Sequence, residues 1–362
     1  MEKKIEIYYA DKKVNTIVVE MEEVTRTAVL KDIEVHTNDM WLSFFGEMPE
    51  NCLDFLNRRS YLSQKAYYSS GKTSGYSLYT AVEILLKTHG LSYMDKFWLK
   101  DADENMSYSD VIAGFKSSYK RYYGVAKREF MDNTVTTYFD DSYTSQKILG
   151  NLIVSAVLDN LNLIQPVQIR AFSDNSVTYD NVCKDGEYLI SAYDILLRNF
   201  DYGVFGYAKS QPISTYKNIV RLLNEATGLD VSDYLSRFLF IDSLILNEGH
   251  YLANIYFACN EATGEYRFVP YLTYNHILGI EHDTPLEKKA ESCHCRTICA
   301  NFDVLGMLMV KQGIDFKNVV VVPIANIIEF GFNIVDIKNM CAIIGYRYQQ
   351  LTGGVVNFDD GV

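Results

Sequence analysis

The order of strand-like and helix-like segments is the feature that most limits how this chain can fold. Short segments with alternating apolar and polar residues come first, beginning within residues 5–30, and helical periodicity dominates from about residue 212. One hairpin interrupts the helical part, where residues 255–258 and 266–269 flank a Thr263-Gly264 turn. Sheet first and helices second predict an α+β fold with two lobes.

Hydrophobic periodicity also predicts the individual elements. Strands are expected within residues 5–30 and 167–195, and a hairpin around residues 120–140. Ser232 is predicted to be the N-cap of a helix, and Gly90 to end another. Helices are expected at residues 40–60, 76–89, 143–161, 213–227, 231–246, 303–312 and 335–351.

Composition and charge exclude several classes of protein. The chain has 362 residues, of which 48% are hydrophobic and 22% charged, which is typical of a folded globular protein. Its net charge of -12 argues against broad nucleic-acid binding, because phosphates are neutralised by clustered Lys and Arg. The start of the chain carries no apolar signal core, and no apolar run is long enough for a membrane span. Seven scattered cysteines favour reduced thiols and a cytoplasmic location.

The segment Asn247-Glu248-Gly249-His250-Tyr251-Leu252-Ala253-Asn254 carries the main chemical information. Together with Pro270-Tyr271-Leu272-Thr273, it has the spacing of a phosphotransferase loop. Such a loop needs one carboxylate beside the attacking hydroxyl and another on the metal ion. Gly249 and Thr273 occupy those two positions here, so the acids that the chemistry requires are absent from them.

Four stretches of the sequence together resemble the HipA-like serine/threonine kinase family, in the form common in Firmicutes. Together the four stretches span most of the chain, in the order and at the spacing of the family. The second and fourth stretches are the more specific ones. The stretches are Leu53–Ser60; Thr88–Ser92 with Phe97–Lys100 and Tyr108–Val111; Ser191–Ile195; and Asp242–Asn247 running into the loop. The resemblance implies a two-lobed HipA/protein-kinase-like fold with a small N-terminal α+β module.

The same resemblance identifies this chain as a degenerate member of the family. The catalytic Asp of the family corresponds to Gly249, and its second metal-binding acid corresponds to Thr273. The glutamate that pairs with the nucleotide lysine corresponds to Asn151. No lysine lies in the strand Thr134–Phe139 where the family would place it, and Lys127 is the nearest candidate.

Other loop positions are altered as well. The Arg and His beside the catalytic Asp of the family correspond to His250 and Tyr251, and the Asn before the metal-binding Asn corresponds to Ala253. Asn254 matches the metal-binding Asn itself, so Asn254 and Asn247 are the residues expected to contact any bound nucleotide.

Two interpretations of this loop stay open. In the first, the chain is a catalytically inactive pseudokinase that needs no cofactor and no metal. In the second, it is a divergent ATP-dependent Ser/Thr kinase or another nucleotide transferase, using ATP and Mg²⁺ in a rearranged site. Glu248 or His250 would then replace the missing base. Asp283 or Asp303 would supply a metal ligand.

Three further clusters are interpreted as structural. Residues 66–73 lack the first glycine of a P-loop, and residues 116–128 combine basic and aromatic residues on what we expect to be a solvated face. Cys293, His294, Cys295 and Cys299 follow His282 and contain zinc-type ligands. Their spacing does not match a zinc knuckle, so chance clustering is expected and no metal site is predicted.

The organisation predicted from these features has three parts. Residues 1–115 form an N-terminal module, 116–205 a strand-rich N-lobe and 206–362 a helical C-lobe. The predicted function is to bind an unidentified protein partner as a regulator or inhibitor. The family resemblance suggests a setting of phage–host or mobile-element conflict in bacteria or phages.

Overall fold

The architecture is taken from a computed structural model of the chain. It describes residues 1–37, 49–60, 77–91, 96–111, 126–131, 134–139, 142–184, 186–200, 212–248, 252, 255–270, 276–282, 284–285, 288–293 and 314–361. In those residues, no helix combines the length and the apolar character that crossing a membrane requires.

A four-stranded antiparallel sheet opens the chain. Its strands are β1 (Glu2–Tyr9), β2 (Lys12–Glu22), β3 (Thr27–Val35) and β4 (Phe97–Asp101), in the spatial order β3-β2-β1-β4. Helices α1 (Pro49–Ser60) and α2 (Leu78–Thr88) pack on this sheet. The alternating pattern within residues 5–30 predicted strands there correctly, because the inward residues Ile5, Ile7, Ile17 and Val19 form a common core with both helices.

The turn at the end of α2 connects the first two sequence stretches that resemble the kinase family. His89 and Gly90 both have positive φ angles, 52° and 55°. A Cβ on Gly90 would lie 2.3 Å from Cδ1 of Leu99, so a glycine is needed there for space as well as conformation. Arg59, near the end of α1, donates to the carbonyl oxygens of Gly90 (2.7 Å) and Phe97 (2.9 Å). One guanidinium therefore ties the end of α1 to the turn after α2 and to the start of β4.

Two further antiparallel sheets follow. The first contains β5 (Ala126–Met131), β6 (Thr134–Phe139), β7 (Arg170–Ser173) and β8 (Ser176–Asp180), in the order β5-β6-β8-β7. The second contains β9 (Glu187–Ser191), β10 (Tyr256–Asn260) and β11 (Tyr266–Phe268), in the order β11-β10-β9. The hairpins predicted at 120–140 and 255–269 are both confirmed as strand pairs.

The remaining described elements are mostly helical. The helices are α3 (Thr144–Leu161), α4 (Ala192–Asn199), α5 (Pro212–Thr227), α6 (Ser232–Ile245), α7 (Lys289–Ser292), α8 (Ala325–Glu329) and α9 (Ile334–Thr352). A parallel pair, β12 (Val319–Pro323) with β13 (Val355–Asp359), encloses α8 and α9 in sequence. One continuous hydrophobic core extends from Val135 to Val356 and includes α3, α6 and α9.

The mixed α and β character predicted from the sequence is confirmed, with local differences. Ser232 is the first residue of α6 and does not cap it, because Asp230 accepts hydrogen bonds from its amide and its hydroxyl. Strands β4, β12 and β13 were not predicted, and helix α4 begins at Ala192, inside the segment 167–195 that was expected to form strands. The helix predicted at 303–312 lies outside the described residues. The three-part division stays a prediction, although β9 and β10 pair across the proposed boundary at residue 205.

Candidate functional site

The candidate loop begins at the buried end of α6. Leu246 ends the helix in a left-handed conformation (φ 50°), and the amide of Asn247 donates to the carbonyl oxygen of Asp242 at 2.9 Å. The side chains of Asp242 and Asn247 are fully buried. This family-like stretch therefore forms part of the core and fixes the direction in which the loop leaves the helix.

A second segment, residues 276–282, lies along the start of the loop. The amide of Leu278 donates to the carbonyl oxygen of Ile245 at 2.7 Å. The amide of Glu248 donates to the carbonyl oxygen of His276 at 2.8 Å. Leu278 and Gly279 have positive φ angles, which turns the chain after these two bonds. The loop and this segment are thus held together by their backbones.

A buried ion pair joins this segment to α3. The Nζ atom of Lys147 lies 2.7 Å from an Oε atom of Glu281, and the two side chains are 2% and 27% exposed. His276 Nδ1 lies 3.5 Å from the same carboxylate. Hydrogen bonding from His276, reinforced by Lys147, holds the pKa of Glu281 well below its usual range despite the opposing effect of burial. Glu281 is therefore an ionised carboxylate engaged by two neighbours.

Small and polar residues on α3 allow this close approach. A Cβ on Gly150 would lie 3.2 Å from Ile277 and 3.3 Å from Ile280, so a side chain there would press on the segment. Asn151, one turn after Lys147, donates its side-chain amide to the Lys147 carbonyl oxygen at 2.7 Å. The residue at the position of the family glutamate thus bonds within its own helix, and Lys147 supplies the charge on this face.

A second cluster surrounds Glu248. Its Oε2 atom lies 2.7 Å from Nε2 of His282. Together with Sγ of the buried Cys293, these side chains place one potential ligand atom each within 4.8 Å of one another. Burial, with the charge of Glu248 adding to it, raises the pKa of the Cys293 thiol to about 12. Cys293 is therefore a protonated thiol in this state and not an activated nucleophile.

The structure describes some of the residues predicted for the site and not others. Asn151, Asn247 and Glu248 are described, and Glu248 is paired with His282. The strand containing Lys127 is described, but the Lys127 side chain is not. The remaining predicted positions lie outside the described residues: Gly249, His250, Tyr251, Ala253, Asn254, Thr273, Asp283, His294, Cys295, Cys299, Asp303 and the stretches 66–73 and 116–125.

Lys147 and Glu281 are the site residues that the sequence analysis missed. Lys147 stands near the start of a helix that is largely apolar, and all four residues that follow it are buried. A single lysine on the buried face of such a helix signals a buried partner, because an unpaired charge is costly there. The identity of the partner is not signalled in the sequence.

Comparisons with known proteins found similar solved structures but no matching family model. No protein-family model matches the sequence, and the search of curated proteins found no match. The proinflammatory kinase CtkA of Helicobacter pylori is similar at 10% identity, over 62% of this chain and 90% of that chain, with a TM-score of 0.44. HipA of Shewanella oneidensis MR-1, from a toxin–antitoxin complex with HipB and operator DNA, is similar at 9% identity. The match covers 96% of this chain and 90% of that chain, with a TM-score of 0.46. Identities this low leave the roles of residues to be argued from the site itself.

Proposed function

We propose that this protein is a kinase-like scaffold that binds a protein partner and does not transfer phosphate. The main support is that the carboxylates beside the described part of the loop are already engaged. Glu248 is paired with His282, and Glu281 with Lys147 and His276. The positions that the family resemblance assigns to the two catalytic acids hold Gly249 and Thr273.

The chemistry of phosphoryl transfer makes these features costly for an enzyme. A positioned general base contributes roughly 10²–10⁴-fold to a rate, and metal ions neutralise the charge that develops on the phosphates. Glu248 would have to leave His282 before it could accept a proton from a hydroxyl. The scaffold therefore fits binding better than catalysis.

An exposed apolar face supports a role in binding. On the pair β12–β13, the side chains of Val319, Val321 and Val355 are exposed, and Val319 lies directly opposite Val355. Adjacent exposed valines on a sheet are typical of a surface that another protein covers. The regulatory setting, including conflict between phages and their hosts, rests on the family resemblance alone.

ATP binding separates the two interpretations of the loop. We expect no change in melting temperature when ATP and Mg²⁺ are added, because only a ligand that binds the native state stabilises it. A rise of several degrees, with label transferred from ATP, would overturn the proposal in favour of a divergent kinase or another nucleotide transferase. Parallel reactions with γ-labelled and α-labelled ATP would then distinguish phosphoryl from nucleotidyl transfer.

Partner binding is tested with a matched pair of variants. The double change Val319→Glu and Val355→Glu puts charges on the exposed face, whereas Val24→Glu changes an exposed valine in the turn after β2. A stoichiometric partner isolated from native cells should be lost by the first variant and retained by the second. Equal retention by both would exclude this face as the binding surface.

A further inference from the structure

We propose that Glu248, His282 and Cys293 form a zinc site. Each side chain offers one ligand atom, and the three atoms lie within 4.8 Å of one another. The Cys293 side chain is fully buried, while Glu248 and His282 are 17% and 29% exposed. An ion could therefore enter from the side of Glu248 and His282 and reach a sulfur that solvent does not contact.

The chemical types of the three ligands indicate which metal ion would bind. A thiolate and an imidazole are poor ligands for Mg²⁺ and Ca²⁺, which prefer oxygen, but they suit zinc, and zinc would displace the proton of the Cys293 thiol to solvent on binding. Zinc binds such ligands at about 2.0–2.3 Å, so tetrahedral partners stand roughly 3.3–3.6 Å apart. The three ligand atoms, which lie within 4.8 Å of one another, must draw together around an ion to reach this geometry. The hydrogen-bonded pair Glu248–His282 must open slightly from 2.7 Å.

Hydrogen bonds of Lys289 connect the two segments that carry His282 and Cys293. The Nζ atom of Lys289 donates to the carbonyl oxygens of Gly279 and His282, both at 2.8 Å. The amide of Cys293 donates to the carbonyl oxygen of Lys289 at 2.9 Å. The turn that carries His282 and the end of α7 that carries Cys293 are therefore fixed to one another through Lys289.

The turn itself is shaped to admit the sulfur. Gly279 has a φ angle of 57°, and a Cβ at that position would lie 3.0 Å from Sγ of Cys293. A side chain at this position would therefore crowd the sulfur. The third ligand, Glu248, is held independently by its amide bond to His276. Hydrogen bonds thus hold the three ligand-bearing segments near one another before an ion binds, which lowers the entropic cost of binding.

A zinc ion here would tie the start of the loop to the segment 276–293. Glu248 directly precedes Gly249, so the ion would fix the chain beside the position of the missing catalytic acid. If zinc binds here, His282 and Cys293 lie together because they share an ion, and the expectation of chance clustering is wrong. Zinc binding depends on these three side chains and not on whether ATP binds.

Zinc content is the direct measurement. The full chain, purified without a histidine tag and dialysed against buffer, should retain about one zinc ion per chain by mass spectrometry of the metal. Cys293→Ser and His282→Ala should each bind zinc at least ~100-fold more weakly, because even the loss of an outer partner of a ligand costs 10–100-fold. Cys341→Ser, which changes a buried cysteine in α9, should leave zinc binding unchanged.

A second measurement keeps the site testable if a variant does not fold. Co²⁺ added to the metal-free wild-type chain should give a thiolate-to-cobalt charge-transfer band, and zinc should abolish it. Zinc retained by Cys293→Ser, or a wild-type cobalt complex without that band, would overturn the assignment. Neither readout depends on phosphoryl transfer, so failure here is distinguishable from failure of the proposed function.

Discussion

At the scale of single residues, Lys147 is the side chain whose environment is most demanding. It is a lysine on a buried helical face, with only 2% of its side chain exposed. Removing a charge of this kind from water costs several kcal/mol, which a well-placed partner offsets. Glu281 is that partner, and it lies far from Lys147 in the sequence. The pair therefore reports whether α3 and the segment 276–282 are correctly assembled.

Replacing Lys147 tests this pair. Lys147→Met should lower the free energy of unfolding by about 3 kcal/mol, the lower end of the range for breaking a buried pair. The lower end applies because Glu281 keeps 27% of its exposure. Urea unfolding monitored by circular dichroism would measure the change.

Two control variants make the result specific. The double variant Lys147→Met/Glu281→Gln should recover part of the loss, since no unpaired charge remains. Arg221→Met breaks the exposed i,i+4 pair with Glu225 and should change stability by less than ~0.5 kcal/mol. Equal losses for Lys147→Met and Arg221→Met would show that the buried pair does not stabilise the fold.

At the scale of elements, one ion pair spans the three-stranded sheet. Arg267 on β11 donates to both carboxylate oxygens of Glu187 on β9, across the central strand β10. It also donates to the carbonyl oxygen of Val182 at 2.7 Å. Hydrogen bonding from Arg267 is the largest effect on the pKa of Glu187 and lowers it below its usual value of 4.5.

The pH dependence of stability follows from the sign of this shift. A carboxyl group whose pKa is lower in the folded state stabilises the fold above its unfolded pKa, and the contribution is lost as pH falls through the folded pKa. Glu187→Gln should therefore lower the melting temperature near neutral pH. Below about pH 4 the difference from wild type should progressively disappear. Thermal unfolding followed at a series of pH values would measure this, with Glu225→Gln as an exposed control. A pH-independent difference would contradict the assignment.

The elements themselves were predictable where one periodicity persists over many residues. Helix α9 follows its sequence pattern closely, because its buried residues Ile337, Met340, Ile344, Tyr348 and Leu351 recur at helical spacing. Strand β12 was not predicted because a run of valines shows no alternation of apolar and polar residues. Its side chains alternate between buried and exposed only in the folded pair with β13. The N-cap of α6 was assigned wrongly because Asp230 takes the hydrogen bonds of Ser232.

At the scale of the whole molecule, Glu261 joins the N-terminal sheet to the three-stranded sheet. Its carboxylate accepts a hydrogen bond from Tyr9 Oη at 2.9 Å and lies 2.7 Å from Nζ of Lys96. The rings of Tyr9 and Tyr188 pack edge to face at 5.9 Å beside these bonds. This small polar and aromatic contact therefore couples two separate hydrophobic cores.

Removing that carboxylate should loosen the N-terminal sheet selectively. Glu261→Ala should cost about 1 kcal/mol, the net value of an ordinary hydrogen bond, since the partly exposed pair with Lys96 adds little. Hydrogen exchange should accelerate in strands β1 and β4, and exchange in α6 should stay unchanged. Glu265→Ala, in the same turn and exposed, is the matched control. Uniform acceleration across the chain would contradict this local role.

The amino-acid sequence by itself determined the types of the elements with a persistent periodicity, and the absence of acids at Gly249 and Thr273. Both are local properties, since periodicity and spacing concern residues that are neighbours in the chain. Only the tertiary structure decided that Lys147 meets Glu281, and that Glu248, His282 and Cys293 converge. Such contacts depend on how α3, α6 and the turns at 246 and 279 pack together, and sequence spacing does not specify that packing.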